Sequence, residues 1–181
     1  LVVILDGKDI KTPATNGYLH ADFSLDADGE YLALHNATGA VVQEFTKLPP
    51  GSPFHSYGRN AQGSYVYFDL ATPGAANAGT EFSGIVSAPV PSNPGGFFGS
   101  ATTVTLTSAT TGATVRYTDS ADAAGPTDGS EPTATTGIVY GGTINVGSTR
   151  VLRAAAFAPG MIPSAVVSFT YLIGEPAPRP S

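Results

Sequence analysis

The chain has 181 residues, 41% of them hydrophobic, which is enough for one large core or two small ones. Only 12% of the residues are charged and the net charge is −6, so a phosphate backbone is an unfavourable partner and we expect no nucleic acid binding. The chain contains no cysteine, which excludes thiol chemistry and zinc–thiolate sites. No apolar run approaches the roughly 20 residues of a membrane span, so we expect no membrane insertion.

The residue types favour short strands joined by turns. Gly (22) and Pro (15) are frequent, Thr, Ser and Ala fill much of the rest, and no stretch has sustained helical periodicity. Strands with period-two alternation account better for the pattern, because β-branched and aromatic residues favour the pleated sheet. The sequence therefore predicts an all-β protein.

The first half contains five predicted strands. Residues 1–5 are wholly apolar and are predicted to form a central strand. Residues 36–40 (NATGA) predict a hairpin turn with Gly39 near its tip. The predicted strands, in chain order, cover residues 1–5, 30–35, 41–45, 56–59 and 64–68.

A turn-rich stretch at residues 72–83 separates the two halves, because charged and aromatic residues are common before it and Thr, Ser, Ala and Val dominate after it. We assign residues 1–78 to a first module, 79–84 to a linker and 85–173 to a second module. Residues 174–181 (GEPAPRPS) form a Pro-rich tail.

The second half contains seven predicted strands at short intervals. Residues 102–108 alternate with Val104 and Leu106 on one face, and residues 113–118 alternate with Val115 and Tyr117 inward. This spacing is typical of an immunoglobulin-like sandwich. The predicted strands cover residues 85–90 (an edge strand), 102–108, 113–118, 138–140, 143–146, 149–158 and 164–172.

Several motifs of the second half occur together in one known family. They are GATVRYT (112–118), DGSEPT (128–133), LRAAAF (152–157) and APGMIPS (158–164). In this order they resemble the chitobiase/β-hexosaminidase C-terminal-type repeat, also described as a fibronectin-III-associated module, over residues 85–172. Here residues 119–127 are inserted between two of the motifs. The resemblance implies an accessory module with no catalytic role.

The first half resembles the C-terminal portion of a bacterial lamin-tail domain. The residues concerned are HADFSL (20–25), DGEYLAL (28–34), SYGR (56–59) and ATPGAAN (71–77). The family's opening strands are absent, so this resemblance implies a module that is incomplete at its N-terminus. The two resemblances together imply two immunoglobulin-like β-sandwich modules in tandem.

Four acids of the inserted stretch and its flank could make a site: Asp119, Asp122, Asp128 and Glu131. They are favoured as solvated turn residues, because Asp and Ser bond to their own backbone and Gly129 suits a positive φ. Calcium is the alternative, since carboxylates and loop carbonyls are its preferred ligands, although the spacing is not that of an EF-hand loop. Acid–base catalysis on a glycoside is the third and least favoured hypothesis. No other cofactor is expected.

Tyr65 and Tyr67 lie on one face of the predicted strand 64–68. They are expected to be core residues with hydroxyls at the rim, or else a platform for glycans, whose C–H faces pack on aromatic rings. His20, His35 and His55 have no metal-ligand spacing.

Two short motifs are candidate glycosylation sites. Asn36-Ala37-Thr38 is an N-glycosylation sequon, and Asp119-Ser120-Ala121 resembles a bacterial O-glycosylation site with Ser120 as the acceptor. Both motifs are short and carry little weight alone.

The sequence predicts a non-catalytic structural or adhesion module of a larger secreted or cell-surface bacterial protein. We expect it to contact other domains, or copies of itself, through β-sheet surfaces, as in strand addition. The alternative function is that of a carbohydrate-binding accessory module of a secreted polysaccharide-degrading enzyme, with glycans as partners. We predict that the chain is not an enzyme.

Overall fold

The structure, a computed structural model, describes residues 2–12, 17–121 and 129–176. Within these ranges the chain forms strands, turns and bends and no helix, which confirms the all-β prediction. For the same residues, no helix is long and apolar enough to cross a membrane. The chain divides into two compact units, Leu1–Glu81 and Phe82–Ser181.

The first unit is built from short strands in small sheets. β1 and β2 pair in parallel, β3 and β4 form an antiparallel hairpin, and β5, β6 and β7 form a three-stranded sheet in that order. Its strands are β1 (Val3–Ile4), β2 (Leu19–His20), β3 (Leu32–His35), β4 (Val41–Phe45), β5 (Ser56–Arg59), β6 (Tyr65–Phe68) and β7 (Glu81–Phe82), the last of which crosses the unit boundary.

The apolar run at residues 1–5 was wrongly predicted to be a central strand. Its described part forms only the two-residue β1, which pairs with β2 in a sheet of two strands. Asp6 then makes an isolated bridge to Ser24, and the Asp6 carboxylate binds His20 Nδ1 at 2.9 Å. Among the described residues β2 is the one strand paired with β1, and Val3 is 42% exposed despite its apolar side chain.

The predicted hairpin at residues 36–40 is confirmed. Gly39 has a φ of 83°, which suits glycine, and Asn36 Oδ1 accepts hydrogen bonds from the backbone N–H groups of Thr38 and Ala40. The predicted strands 41–45 and 56–59 match β4 and β5 in both bounds.

The second unit has one five-stranded sheet in the order β13-β12-β15-β16-β9. Two further strand pairs, β10 with β14 and β11 with β8, lie outside that sheet. Its strands are β8 (Val90–Pro91), β9 (Gly96–Phe98), β10 (Thr102–Val104), β11 (Leu106–Thr107), β12 (Thr114–Asp119), β13 (Ile138–Val139), β14 (Ile144–Val146), β15 (Arg150–Phe157) and β16 (Val167–Ile173).

The core of this unit is drawn from both the five-stranded sheet and the separate pairs. Val115 and Tyr117 are buried as predicted from their alternation, as are Val104 and Leu106. The other core residues are Val86, Ile144, Val146, Leu152, Ala154, Ala156 and Tyr171. Alternate residues of each strand therefore face one shared apolar interior.

The predicted strand 102–108 is divided in the structure. β10 pairs with β14, whereas β11 pairs with β8, so the chain changes partner at Thr105. The Thr105 N–H donates to Ser92 Oγ at 2.9 Å, and its carbonyl accepts from the Ser92 N–H at 2.8 Å. These bonds satisfy the backbone where the sheet ladder stops.

Candidate functional site

Asp119 is the last residue of β12 and is buried among its partners. Its Oδ2 accepts a hydrogen bond from Arg150 Nη1 at 2.8 Å, and its Oδ1 accepts one from the Ala121 N–H at 2.9 Å. Only 2% of the Asp119 side chain and 13% of the Arg150 side chain are exposed. Both carboxylate oxygens are thus engaged by donors from the chain itself, which gives Asp119 a structural role at the end of the strand.

Of the other three acids of the candidate calcium site, Glu131 is the one within the described residues. Glu131 lies 3.8 Å from Arg153 Nη1 and is well exposed. Asp122 and Asp128 lie outside the described residues. Within residues 2–12, 17–121 and 129–176, no three His, Cys, Asp or Glu side chains are grouped so that they could hold a metal ion. The calcium site stays a prediction.

The two candidate glycosylation residues differ in their surroundings. Asn36 lies at the exposed tip of the β3–β4 hairpin, where its Oδ1 also accepts from Thr38 Oγ1 at 2.8 Å. Ser120 follows β12, and its hydroxyl accepts from the Val151 N–H at 2.9 Å. Modification of Ser120 would therefore compete with a strand-to-loop hydrogen bond, whereas Asn36 offers its side chain at an open turn.

The aromatic side chains of the first unit form one cluster. β5 and β6 pair so that Tyr57 lies opposite Tyr67, and Tyr65 is the diagonal neighbour of Tyr57. The Tyr57 and Tyr65 rings are stacked at 5.8 Å with an angle of 22°, and the Tyr57 and Tyr67 centroids are 5.0 Å apart. Phe45 of β4 meets Tyr65 edge-on at 5.0 Å. These contacts fix the ring positions before any ligand arrives.

Tyr65 and Tyr67 differ in exposure, and Tyr67 lies in the core with its hydroxyl bonded at the rim. Tyr67 is 4% exposed and donates its hydroxyl to the Pro50 carbonyl oxygen at 2.7 Å, and burial raises the pKa of its phenol. Tyr65 is half-exposed, but the Arg59 guanidinium lies 5.8 Å from its ring centroid and the Gln43 amide donates to its hydroxyl. Tyr57, which the sequence also suggests as a core residue, shares their face of the sheet and is 38% exposed.

A cleft of about 470 Å³ opens beside this cluster. Tyr57, Tyr67 and Phe45 line one side of it, and the loop at residues 48–52 lines another. Asp26, Ser52 and His55 supply its polar side chains. A cleft of this size, mostly apolar with a few polar groups, has the character of a small-ligand site.

Each of the three histidines bonds to a different partner. His20 binds Asp6, His35 Nδ1 lies 3.0 Å from the Gly39 carbonyl oxygen, and His55 Nδ1 lies 2.9 Å from the Pro53 carbonyl oxygen. A carbonyl oxygen can only accept, so Nδ1 carries the proton in His35 and His55. Among the described residues the histidines belong to three separate turns and strands.

Residues 93–168 match the family model of the chitobiase/beta-hexosaminidase C-terminal domain. The match confirms the resemblance of the second half and does not extend into the first unit. The lamin-tail resemblance therefore stays a prediction. No curated protein and no solved structure matches the chain.

Proposed function

We propose that the chain is a non-catalytic structural or adhesion module of a larger secreted or cell-surface protein. In this proposal both units are immunoglobulin-like sandwiches in tandem, and they join other domains or copies of the chain through β-sheet contacts. The family match supports it, because the matched region is named as a C-terminal domain of glycosidases and our resemblance assigns such repeats an accessory role. The fold alone does not determine the function, so the proposal depends on one exposed surface of the first unit.

The surface that supports assembly is the β3–β4 hairpin. Leu34, Val41 and Val42 are each more than half exposed, and among the described residues no further strand pairs with either edge of the hairpin. The two strand sequences, LALH and VVQEF, contain no Lys or Pro, the residues that commonly protect an edge from pairing. Glu44 and the irregular register between Leu34 and His35 protect this edge in part, and the exposed apolar side chains beside them make it a template for a strand from a neighbouring molecule.

An apolar groove lies directly behind this edge. It has a volume of about 430 Å³ and is lined by residues of the first four strands and their continuations, among them Val3, Leu5, Phe23 and Leu32. Leu34 belongs to both the groove and the exposed face of the hairpin. Gln43 and Phe45 of β4 also line the groove, so a neighbouring strand on β4 would bury apolar side chains as well as pair backbone groups.

The proposal is tested by light scattering over a range of protein concentrations. We expect a mass that rises above the 18.3 kDa of one chain as concentration increases. Val42→Lys should shift this rise to higher concentration, because a charge on the edge opposes pairing. Val139→Lys is the matched control: Val139 is an exposed valine of the short edge strand β13 in the second unit. A single-chain mass at all concentrations, or equal effects of the two substitutions, would contradict the proposal.

The second candidate function is that of a carbohydrate-binding accessory module. One observation favours it: Tyr57 is 38% exposed and its ring lines a cleft that also holds polar side chains. Binding of soluble oligosaccharides by the intact chain would support this function, and the cleft specifies which residues to change.

A further inference from the structure

We propose that the cleft beside Tyr57, Tyr67 and Phe45 binds a neutral pyranose ring of a polysaccharide. The inference builds on the second candidate function by assigning it a site and a ligand class. It names Tyr57 as the stacking residue.

The ring of Tyr57 is held in a fixed position by its neighbours. Tyr65 stacks on it at 5.8 Å, and Tyr67, which is itself held by its hydroxyl bond to Pro50, contacts it from across the strand pair. Tyr65 in turn is held by Phe45 and Arg59. A ligand that stacks on Tyr57 therefore loses little affinity to ordering the side chain.

Polar side chains of the cleft lie around its aromatic side. Asp26 Oδ1 accepts from the Asp28 N–H at 3.0 Å, and no described residue donates to its Oδ2. Ser52 Oγ lies 3.0 Å from His55 Nδ1, and its hydroxyl proton can be donated to a ligand. Sugar hydroxyls, which both donate and accept, suit this mixture beside an apolar ring face.

The charge of the residues that line the cleft limits the class of ligand. Asp26 is the only charged side chain among the described residues that line the cleft, and the whole chain has a net charge of −6. An anionic polysaccharide would meet a carboxylate with no cation at the site to offset it. The same charge disfavours nucleotides, which could otherwise stack on a tyrosine. A neutral sugar is therefore the ligand class that both the shape and the charge allow.

The test is isothermal titration calorimetry of the full chain with cellopentaose, penta-N-acetylchitopentaose and an oligogalacturonate. We expect saturable binding of at least one of the two neutral oligosaccharides and none of the anionic one. Tyr57→Ala should weaken the binding by about tenfold or more, through loss of the stacking surface. Tyr31→Ala is the control, because Tyr31 is exposed, bonds to Glu44 and lies outside the cleft. It should change the affinity by less than about twofold.

A second variant covers the case in which Tyr57→Ala does not fold. Ala27 lines the cleft, and Ala27→Trp would fill it without removing any side-chain hydrogen bond. We expect this variant to melt like the unchanged protein and to lose oligosaccharide binding. The proposal is overturned if neither neutral oligosaccharide binds, if the anionic one binds as well, or if Tyr31→Ala weakens binding as much as the cleft variants.

Assembly and sugar binding can fail separately. Val42 lies outside the cleft, so Val42→Lys should leave the oligosaccharide affinity unchanged even where it prevents association. Light scattering identifies the concentrations at which the protein has the mass of one chain. Titrations at those concentrations measure oligosaccharide binding at the cleft without association.

Discussion

Asp119 and Arg150 form an ion pair that is almost closed to solvent, and it joins the end of β12 to the start of β15. Desolvation makes such a pair costly to bury, and its mutual attraction offsets that cost only while both partners are present. Arg150 also donates to the carbonyl and hydroxyl oxygens of Ser148. The pair therefore fixes a strand end and the turn before it.

Removing one partner should be far more harmful than removing both. We expect Arg150→Met to lower the free energy of unfolding by about 3–5 kcal/mol, because it leaves the Asp119 charge buried without a partner. Arg153→Met, at the solvated 3.8 Å contact with Glu131, should cost about 0–1 kcal/mol. Urea denaturation measures both variants. A double variant, Asp119→Leu with Arg150→Met, that is no more stable than Arg150→Met alone would contradict the reasoning.

Asp6 gives the first unit a defined response to acid. The Lys8 ammonium and His20 hold the pKa of Asp6 at about 2, below its ordinary 3.8. A lowered pKa in the folded state stabilises the fold fully above pH about 4, and this contribution is lost as the pH falls through 2. We expect the free energy of unfolding of Asp6→Asn to fall less than that of the unchanged protein as the pH is lowered from about 4 to about 2. Urea denaturation at several pH values between 2 and 5 measures the change, and an unchanged pH dependence would contradict the assignment.

Tyr57 illustrates what sequence alternation can and cannot give at this scale. Alternation places Tyr57 and Arg59 on one face of β5, and Tyr65 and Tyr67 on one face of β6. It does not reveal that Pro50 covers Tyr67, because that contact joins residues 17 positions apart through the loop. A tertiary contact thus decides which of the rings on this face is buried.

At the scale of the elements, β15 contributes most to the packing of the second unit. It has eight residues and pairs with both β12 and β16, and Leu152 and Ala154 at its centre are fully buried. By contrast β13 has two residues and lies at the sheet edge. The free energy of packing is therefore concentrated in the middle of the sheet.

This difference predicts unequal costs for similar truncations. Leu152→Ala should lower the free energy of unfolding by about 2–5 kcal/mol, because it leaves a cavity between closely packed neighbours. Val139→Ala, at an exposed position of β13, should change it by no more than about 0.5 kcal/mol. Thermal or urea unfolding of the two variants measures the difference. Similar costs at the two positions would contradict the placement of the core.

The predicted bounds lie within one residue at each end for seven strands: β4, β5, β6, β12, β13, β14 and β15. In β12, the predicted inward residues Val115 and Tyr117 are also buried. β2, β7 and β9, which have two or three residues each, were missed. The run 102–108 alternates without a break, yet it is divided by a change of partner that only the neighbouring strands determine.

At the scale of the whole molecule, the two units stabilise themselves differently. The second unit has a continuous buried core, whereas in the first unit Tyr67 and Phe68 are the buried hydrophobic residues among those described. The first unit instead leaves the apolar groove and the β3–β4 hairpin at its surface. Under the proposed function, this unit gains burial when a neighbouring strand covers that surface, while the second unit is stable alone.

The account's central claim is that the chain associates by pairing strands at the β3–β4 hairpin. Hydrogen–deuterium exchange of the β4 amides, Val41–Phe45, at low and high protein concentration tests it most directly. Strand pairing predicts that the β4 amides not already bonded to β3 exchange more slowly at high concentration, and that Val42→Lys abolishes this slowing. Exchange that is independent of concentration while the measured mass still rises would place the contact elsewhere and contradict the claim.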